Sequence, residues 1–125
     1  MGDRATVLIC DDDAPLRELM RVTLEPEYAC VEATDADEAL ELFRATKPAA
    51  ALLDVMLPGK SGIELLHELR ADPDLAAIPV IVVSAWTRES DRASASEAGA
   101  DAFLGKPFEI ELLRSLVAGL IADRG

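Results

Sequence analysis

Ala49-Ala50-Ala51-Leu52-Leu53-Asp54 is an unbroken apolar run closed by a carboxylate, and Val55-Met56-Leu57-Pro58-Gly59 follows it. Odd and even positions of the run are both apolar, so neither face of the strand it predicts is left polar. Such a strand is covered on both sides, as in a parallel sheet. Open α/β sheets gather their ligand chemistry in the crevice beyond the carboxyl ends of their strands. Asp54 belongs at such an end. One acid there is ordinarily a turn or cap residue, and its meaning depends on what the other strand ends supply.

Working outward, strand-like and helix-like periods alternate along the whole chain. Val7-Leu8-Ile9-Cys10 reads as a strand. It gives way to a helical stripe of Leu16, Leu19, Met20 and Thr23/Leu24, with Pro15 in the first turn. Tyr28 to Ala33 is the next strand. Asp35 and Glu38 then form a capping-box pattern ahead of Ala39, Leu40, Leu42 and Phe43. After the Asp54 strand, Ser61 and Glu64 repeat that pattern and open a helix burying Ile63, Leu66 and Leu69. Pro79-Val80-Ile81-Val82-Val83 is the clearest β-branched run and predicts a central strand. Thr87 to Glu97 is helix-compatible, but its inward positions are mostly Ala and Ser, so little apolar surface holds it down. Gly99 ends it, Asp101 to Leu104 makes a short fifth strand, and Pro107 precedes a helix whose core stripe is Leu113, Leu116, Val117, Leu120 and Ile121. Five strands alternating with five helices through short turns specify a doubly wound parallel α/β sheet, one domain over 1–125.

The chain of 125 residues, half of them apolar, is long enough for a proper core. Twelve Lys and Arg against 24 Asp and Glu leave a net charge of -12. That surface repels phosphate backbones, which argues against direct nucleic-acid binding, and its carboxylate excess leaves room for a divalent cation. Cys10 and Cys30 both fall in apolar runs and read as buried free thiols of a reducing cytosol. No segment reaches the roughly 20 apolar residues of a membrane span, and Met1-Gly2-Asp3-Arg4 lacks the apolar stretch of a signal peptide. The expected location is cytoplasmic, with no membrane partner.

Right-handed crossovers bring all strand ends to one side of the sheet. Asp11-Asp12-Asp13 follows the first, Asp54 closes the third, Ser84 closes the fourth, and Lys106-Pro107 follows the fifth. This order of groups resembles the receiver domain of bacterial two-component response regulators, including chemotaxis regulators, over Val7 to Ile121. The resemblance is carried by Ile9-Cys10-Asp11-Asp12-Asp13, by Leu52 to Gly59, by Val83-Ser84-Ala85, and by Glu97 to Phe108. It implies a flavodoxin-like (βα)5 fold of strand order 2-1-3-4-5, with helices on both faces and Asp54 as phosphoacceptor. It further implies that Asp12 and Asp54 ligate Mg²⁺ (or Mn²⁺) directly with the backbone carbonyl of Met56, and that Asp11 acts through a coordinated water. Ser84, Ala85 and Lys106 then bind the phosphoryl group, and Ser84 and Phe103 form a switch that alters the surface of the fourth helix, fifth strand and fifth helix.

The chemistry agrees with that role. A carboxylate acts as nucleophile in phosphoryl transfer, and the transfer needs positioning and charge neutralisation above all. Three packed acids repel one another unless a cation joins them, and Mg²⁺ favours oxygen ligands. Small Ala85 leaves room for a bulky donor, while Met56 and Trp86 border the pocket and control access of water. The implied partners are a sensor histidine kinase or phosphotransfer protein, and a downstream protein or covalently linked output domain, with a phosphorylation-dependent homodimer as a further form. Such a protein is a switch that catalyses its own phosphorylation and slow dephosphorylation, not a conventional enzyme. Each residue has a plainer reading: Asp11 to Asp13 as a capping run, Ser84 as a small strand-end residue, Lys106 as a surface charge, Phe103 as core, Trp86 as a helix cap. His67 reads as a solvated side chain. The rival enzyme class is a haloacid-dehalogenase-type phosphatase, suggested by Asp11-x-Asp13, but Pro15 stands where its motif wants Thr or Val. A receiver-like docking module without phosphorylation is a third reading, opposed by the complete acidic set. Whether the chain stands alone or continues into an output domain stays open.

Overall fold

The computed structural model describes residues 4–86 and 88–124, with no account of the side chains of 123 and 124. Thr87, which the sequence reading placed at the start of a helix, lies outside the described residues, as do Met1 to Asp3 and Gly125. Strands β1 (Thr6–Cys10), β2 (Ala29–Ala33), β3 (Ala50–Asp54), β4 (Val80–Ser84) and β5 (Ala102–Gly105) alternate with helices α1 (Ala14–Leu24), α2 (Ala36–Thr46), α3 (Gly62–Ala71), α4 (Glu89–Ala98) and α5 (Ile110–Arg124). All strand pairs are parallel, in the order β2-β1-β3-β4-β5. Every residue of β3 and of β4 is buried, as their continuous apolar runs require.

The sheet divides the core in two. Val7 and Ile9 of β1 face Met20 and Leu24 of α1 and Leu113 and Val117 of α5. Leu8 and Cys10 face the other way, toward Phe43 of α2, Leu66 of α3 and Ala95 of α4. Phe43 is wholly buried, and a side chain of that kind contributes about 1.5–3 kcal/mol by leaving water. Helix α4 buries only Ala95 and Ala98, which fits the thin stripe read from its sequence.

Helix starts follow the capping chemistry. Ser61 and Glu64 form the full reciprocal box at α3. Asp35 accepts the Glu38 N–H at 2.8 Å, but the Glu38 carboxylate reaches past it to the Thr34 N–H at 2.7 Å. At the end of α4, Gly99 takes a left-handed φ of 106°, open to glycine at little cost. Three packing expectations need correction. Leu19 is 41 % exposed, because Leu16, Met20 and Leu24 at i,i+4 spacing already complete the inward stripe of α1. Cys30, on edge strand β2, is only half-buried, unlike Cys10. Leu65 is fully buried, whereas Ile63 is only partly so.

Candidate functional site

At the carboxyl edge of the sheet, β1 runs into Asp11, whose N–H donates to the Ala33 carbonyl of β2 at 3.1 Å. Asp11 is wholly buried. Its Oδ1 accepts the Asp13 N–H at 2.8 Å, and its Oδ2 accepts Lys106 Nζ at 3.1 Å. Asp12 is exposed. Asp13 accepts the Leu16 N–H at 3.4 Å and caps α1, the plain role foreseen for it. Asp54 ends β3 and is 4 % exposed. Its Oδ1 accepts the Met56 N–H at 3.1 Å, and its Oδ2 accepts Lys106 Nζ at 3.2 Å. One ammonium therefore bridges two buried carboxylates that lie 43 positions apart in sequence on adjacent strands, β1 and β3.

This crowding sets the electrostatics. Burial raises the Asp54 carboxyl above its ordinary range and the charge of Asp11 raises it further, against the Met56 N–H and Lys106, which favour the anion. Lys106 is also raised: burial would lower it, but its contacts with Asp11 and Asp54 outweigh that. Beneath them, burial followed by the charges of Asp11 and Asp54 pushes the Cys10 thiol up to about 12, so it is an inert core group. Asp11, Asp12 and Asp54 each present a carboxylate oxygen within 4.8 Å of the others. Three hard oxygen donors of this kind fit a small divalent cation, and the excess negative charge among them is what such an ion relieves.

The remaining expected residues surround this centre. Ser84 ends β4, 1 % exposed, and its Oγ accepts the Trp86 N–H at 3.0 Å. The Lys106 N–H donates to the Ser84 carbonyl at 2.8 Å, tying the two strand ends together. Ala85 is exposed and lines an apolar groove of about 360 Å³ with Leu16, Leu19, Lys106, Pro107 and Phe108. Met56 and Trp86 are both about half exposed, at 52 % and 49 %. Trp86, Ser84 and Phe103 share a second cavity of about 320 Å³ with Ile63, Asp91 and Ser94. Phe103 is half-buried, and the Arg92 guanidinium sits 4.7 Å from its ring centroid. His67 is exposed on α3, as expected.

Three supporting features escaped the sequence reading. A Cβ on Gly62 would lie 2.0 Å from the Asp54 carbonyl oxygen, so α3 abuts the backbone of Asp54 itself. Arg17 donates to the Asp11 carbonyl at 2.7 Å. Arg70 donates to the carbonyls of Gly99, Ala76 and Ile78 and to Asp101, whose carboxylate also accepts the Val80 N–H. None carries a local motif; a glycine directly after a helix-capping serine was the only available hint.

Residues 7–118 match the family model of the response regulator receiver domain. The chain is 43 % identical over 118 residues to the phosphate regulon transcriptional regulatory protein PhoB of Pseudomonas aeruginosa, covering 94 % of this chain and 50 % of that protein. It is 38 % identical to the transcriptional regulatory protein CseB of Streptomyces coelicolor, over 100 % of this chain and 53 % of that one. The chain thus spans about half the length of these curated relatives. Among solved structures, a putative response regulator from Chloroflexus aurantiacus superposes with a TM-score of 0.92 at 32 % identity, covering 96 % of this chain and 99 % of the other. No helix among the described residues is long and apolar enough to cross a membrane.

Proposed function

This chain belongs to the response regulator receiver domain family, and on that premise we propose that it is a switch driven by a phosphoryl group on Asp54. The observation that carries the proposal is the Lys106 bridge to Asp11 and Asp54, at 3.1 and 3.2 Å, beside a third carboxylate. A buried nucleophile, a fixed cation and an acidic set at one strand edge are what phosphoryl transfer to a carboxylate needs.

In the proposed reaction an oxygen of Asp54 attacks the phosphorus of a phosphohistidine on a sensor kinase or phosphotransfer protein. The P–O bond forms as the P–N bond breaks, and the histidine nitrogen leaves with its electron pair. Lys106 exchanges its contact with Asp54 for one with a phosphoryl oxygen, and the Ser84 hydroxyl donates to another. Small, exposed Ala85 leaves the approach open. Mg²⁺ or Mn²⁺, held by Asp11, Asp12, Asp54 and the Met56 carbonyl, would supply neutralisation of the charge gathering on the phosphoryl oxygens. Hydrolysis of the acyl phosphate resets the switch, with Met56 and Trp86 at its rim governing entry of water.

Output follows from the bias the phosphoryl group imposes on two conformations. The Ser84 hydroxyl moves toward it, Phe103 turns into the cavity it lines with Ser84, and α4, β5 and α5 present an altered surface. That surface acts on a downstream protein, on a linked output domain or on a second copy of the chain; nucleic acid is not touched by this acidic domain itself. Acetyl phosphate with Mg²⁺ is expected to label the chain stoichiometrically, and Asp54→Asn to abolish the label. Steady turnover of a phosphomonoester would instead support the phosphatase reading.

A further inference from the structure

We propose that Arg17 is a positioning residue that aims the Asp12 carboxylate into the cation site; the inference rests on the metal-dependent reading above. Asp11 is held at every polar atom: its N–H by the Ala33 carbonyl, its two carboxylate oxygens by the Asp13 N–H and Lys106, and its carbonyl by Arg17 Nη1 at 2.7 Å. Asp12 is different. It is exposed, and its carboxylate has no hydrogen-bond or ion-pair partner among the described residues. Yet it offers an oxygen within 4.8 Å of those of Asp11 and Asp54.

What orients Asp12 is the peptide unit that joins it to Asp11. That unit is planar, so the carbonyl oxygen of Asp11 and the N–H and Cα of Asp12 move as one body. A guanidinium that holds the oxygen holds the plane, and with it the position of the Asp12 Cα from which the side chain leaves the backbone. Arg17 is fit for this because it is itself restrained. Its Nε donates to Glu32 Oε1 at 3.1 Å, and its side chain is only 16 % exposed. Glu32 belongs to β2, in register with Ile9 of β1, and its other oxygen meets Arg21 at 3.2 Å. The planar fork of arginine spans both acceptors at once, which a lysine ammonium cannot reproduce.

The sign of the effect separates positioning from charge. Arg17 is a cation near a cation site, so by Coulomb attraction and repulsion alone its removal tightens Mg²⁺ binding. Positioning requires the opposite. Titration of the 125-residue chain with MgCl₂, followed by amide chemical shifts, is expected to show binding weakened roughly 10–100-fold in Arg17→Met, the usual range for lost outer-shell support. Arg17→Lys should weaken it by a smaller factor. The same spectra report whether each variant is folded. Should Arg17→Met not fold, Arg17→Lys carries the test: it keeps the charge and loses the planar fork, so a several-fold loss of affinity there comes from positioning alone. Unchanged or tighter affinity in a folded Arg17→Met, even with a lowered melting temperature, overturns the proposal, and unchanged affinity in Arg17→Lys does so if Arg17→Met is unfolded. A parent chain that binds no Mg²⁺ overturns the metal-dependent reading itself, and this inference with it.

Discussion

Gly62→Ala tests how closely Asp54, the proposed phosphoacceptor, depends on the helix behind it. The added methyl would sit 2.0 Å from the Asp54 carbonyl oxygen, 2.9 Å from the Asp54 carbonyl carbon and 3.0 Å from Val55 Cα. All three are backbone atoms, so no side chain can rotate away. The two backbones must part by well over an ångström, and the Gly62 N–H bond to the Val55 carbonyl, now 2.9 Å, must stretch with them. Overpacking of this kind costs about 1–3 kcal/mol of stability. The larger consequence is for chemistry, since a shift of ~1 Å at a reacting group costs on the order of 100-fold in rate. We expect urea unfolding to show the stability loss, and acetyl phosphate labelling of the folded protein to slow by one to two orders of magnitude. Gly59→Ala is the control. Its φ of 76° strains an alanine, but no atom lies within 4 Å of the new Cβ, so stability should fall by about 1–2 kcal/mol without displacing Asp54. A folded Gly62→Ala that labels at the parent rate, or a Gly59→Ala slowed equally, would refute the reasoning.

In metal-free buffer Asp54→Asn should be more stable than the parent at pH 7, because the folded state holds the Asp54 proton more tightly than the unfolded chain does. That advantage shrinks as pH falls through the raised folded-state value and vanishes below the ordinary aspartate value of 3.8; urea melts of both proteins across this range check it. Arg70→Met removes the donor to three backbone carbonyls and the ion-pair partner of Asp101, so a loss of about 3 kcal/mol is expected in urea unfolding, and near-parent stability would show the clasp to be unimportant. Trp86→Ala should shorten the lifetime of the aspartyl-phosphate several-fold by opening the cavity shared with Ser84. Equal half-lives for parent and variant would sink that idea.

The strands were legible because parallel-sheet interiors write themselves as continuous apolar runs, and β3 and β4 lie within a residue of the runs that announced them. Their ends shifted slightly because pairing is decided by backbone hydrogen bonds, which side-chain types report only indirectly. The carboxylates, Ser84 and Lys106 were legible for a different reason: parallel connectivity collects strand ends, so a residue's place at an end foretells its neighbours. The direct grip of Lys106 on Asp11 and Asp54 followed from that placement but was not foreseen as a contact. Arg17, Gly62 and Arg70 were illegible. Each acts on backbone atoms of another element, up to 29 positions away for Arg70 and Gly99, and a backbone carbonyl leaves no mark on residue type.

The division of the core by the sheet has a consequence for how such a chain can change. Met20, Leu24, Leu113 and Val117 lie on one side, Phe43, Leu66, Leu69 and Ala95 on the other, with the strands between them. Side chains so separated share no partners, and the energetic effects of altering them add. What a substitution in one half costs is therefore independent of what has changed in the other, although both draw on the same stability. Only the strands answer to both halves at once, and among them β5 is the shortest, sending Phe103 to one side and Leu104 to the other. Coupling between substitutions is thus confined to each layer and crosses the sheet only through strand residues such as Phe103 and Leu104.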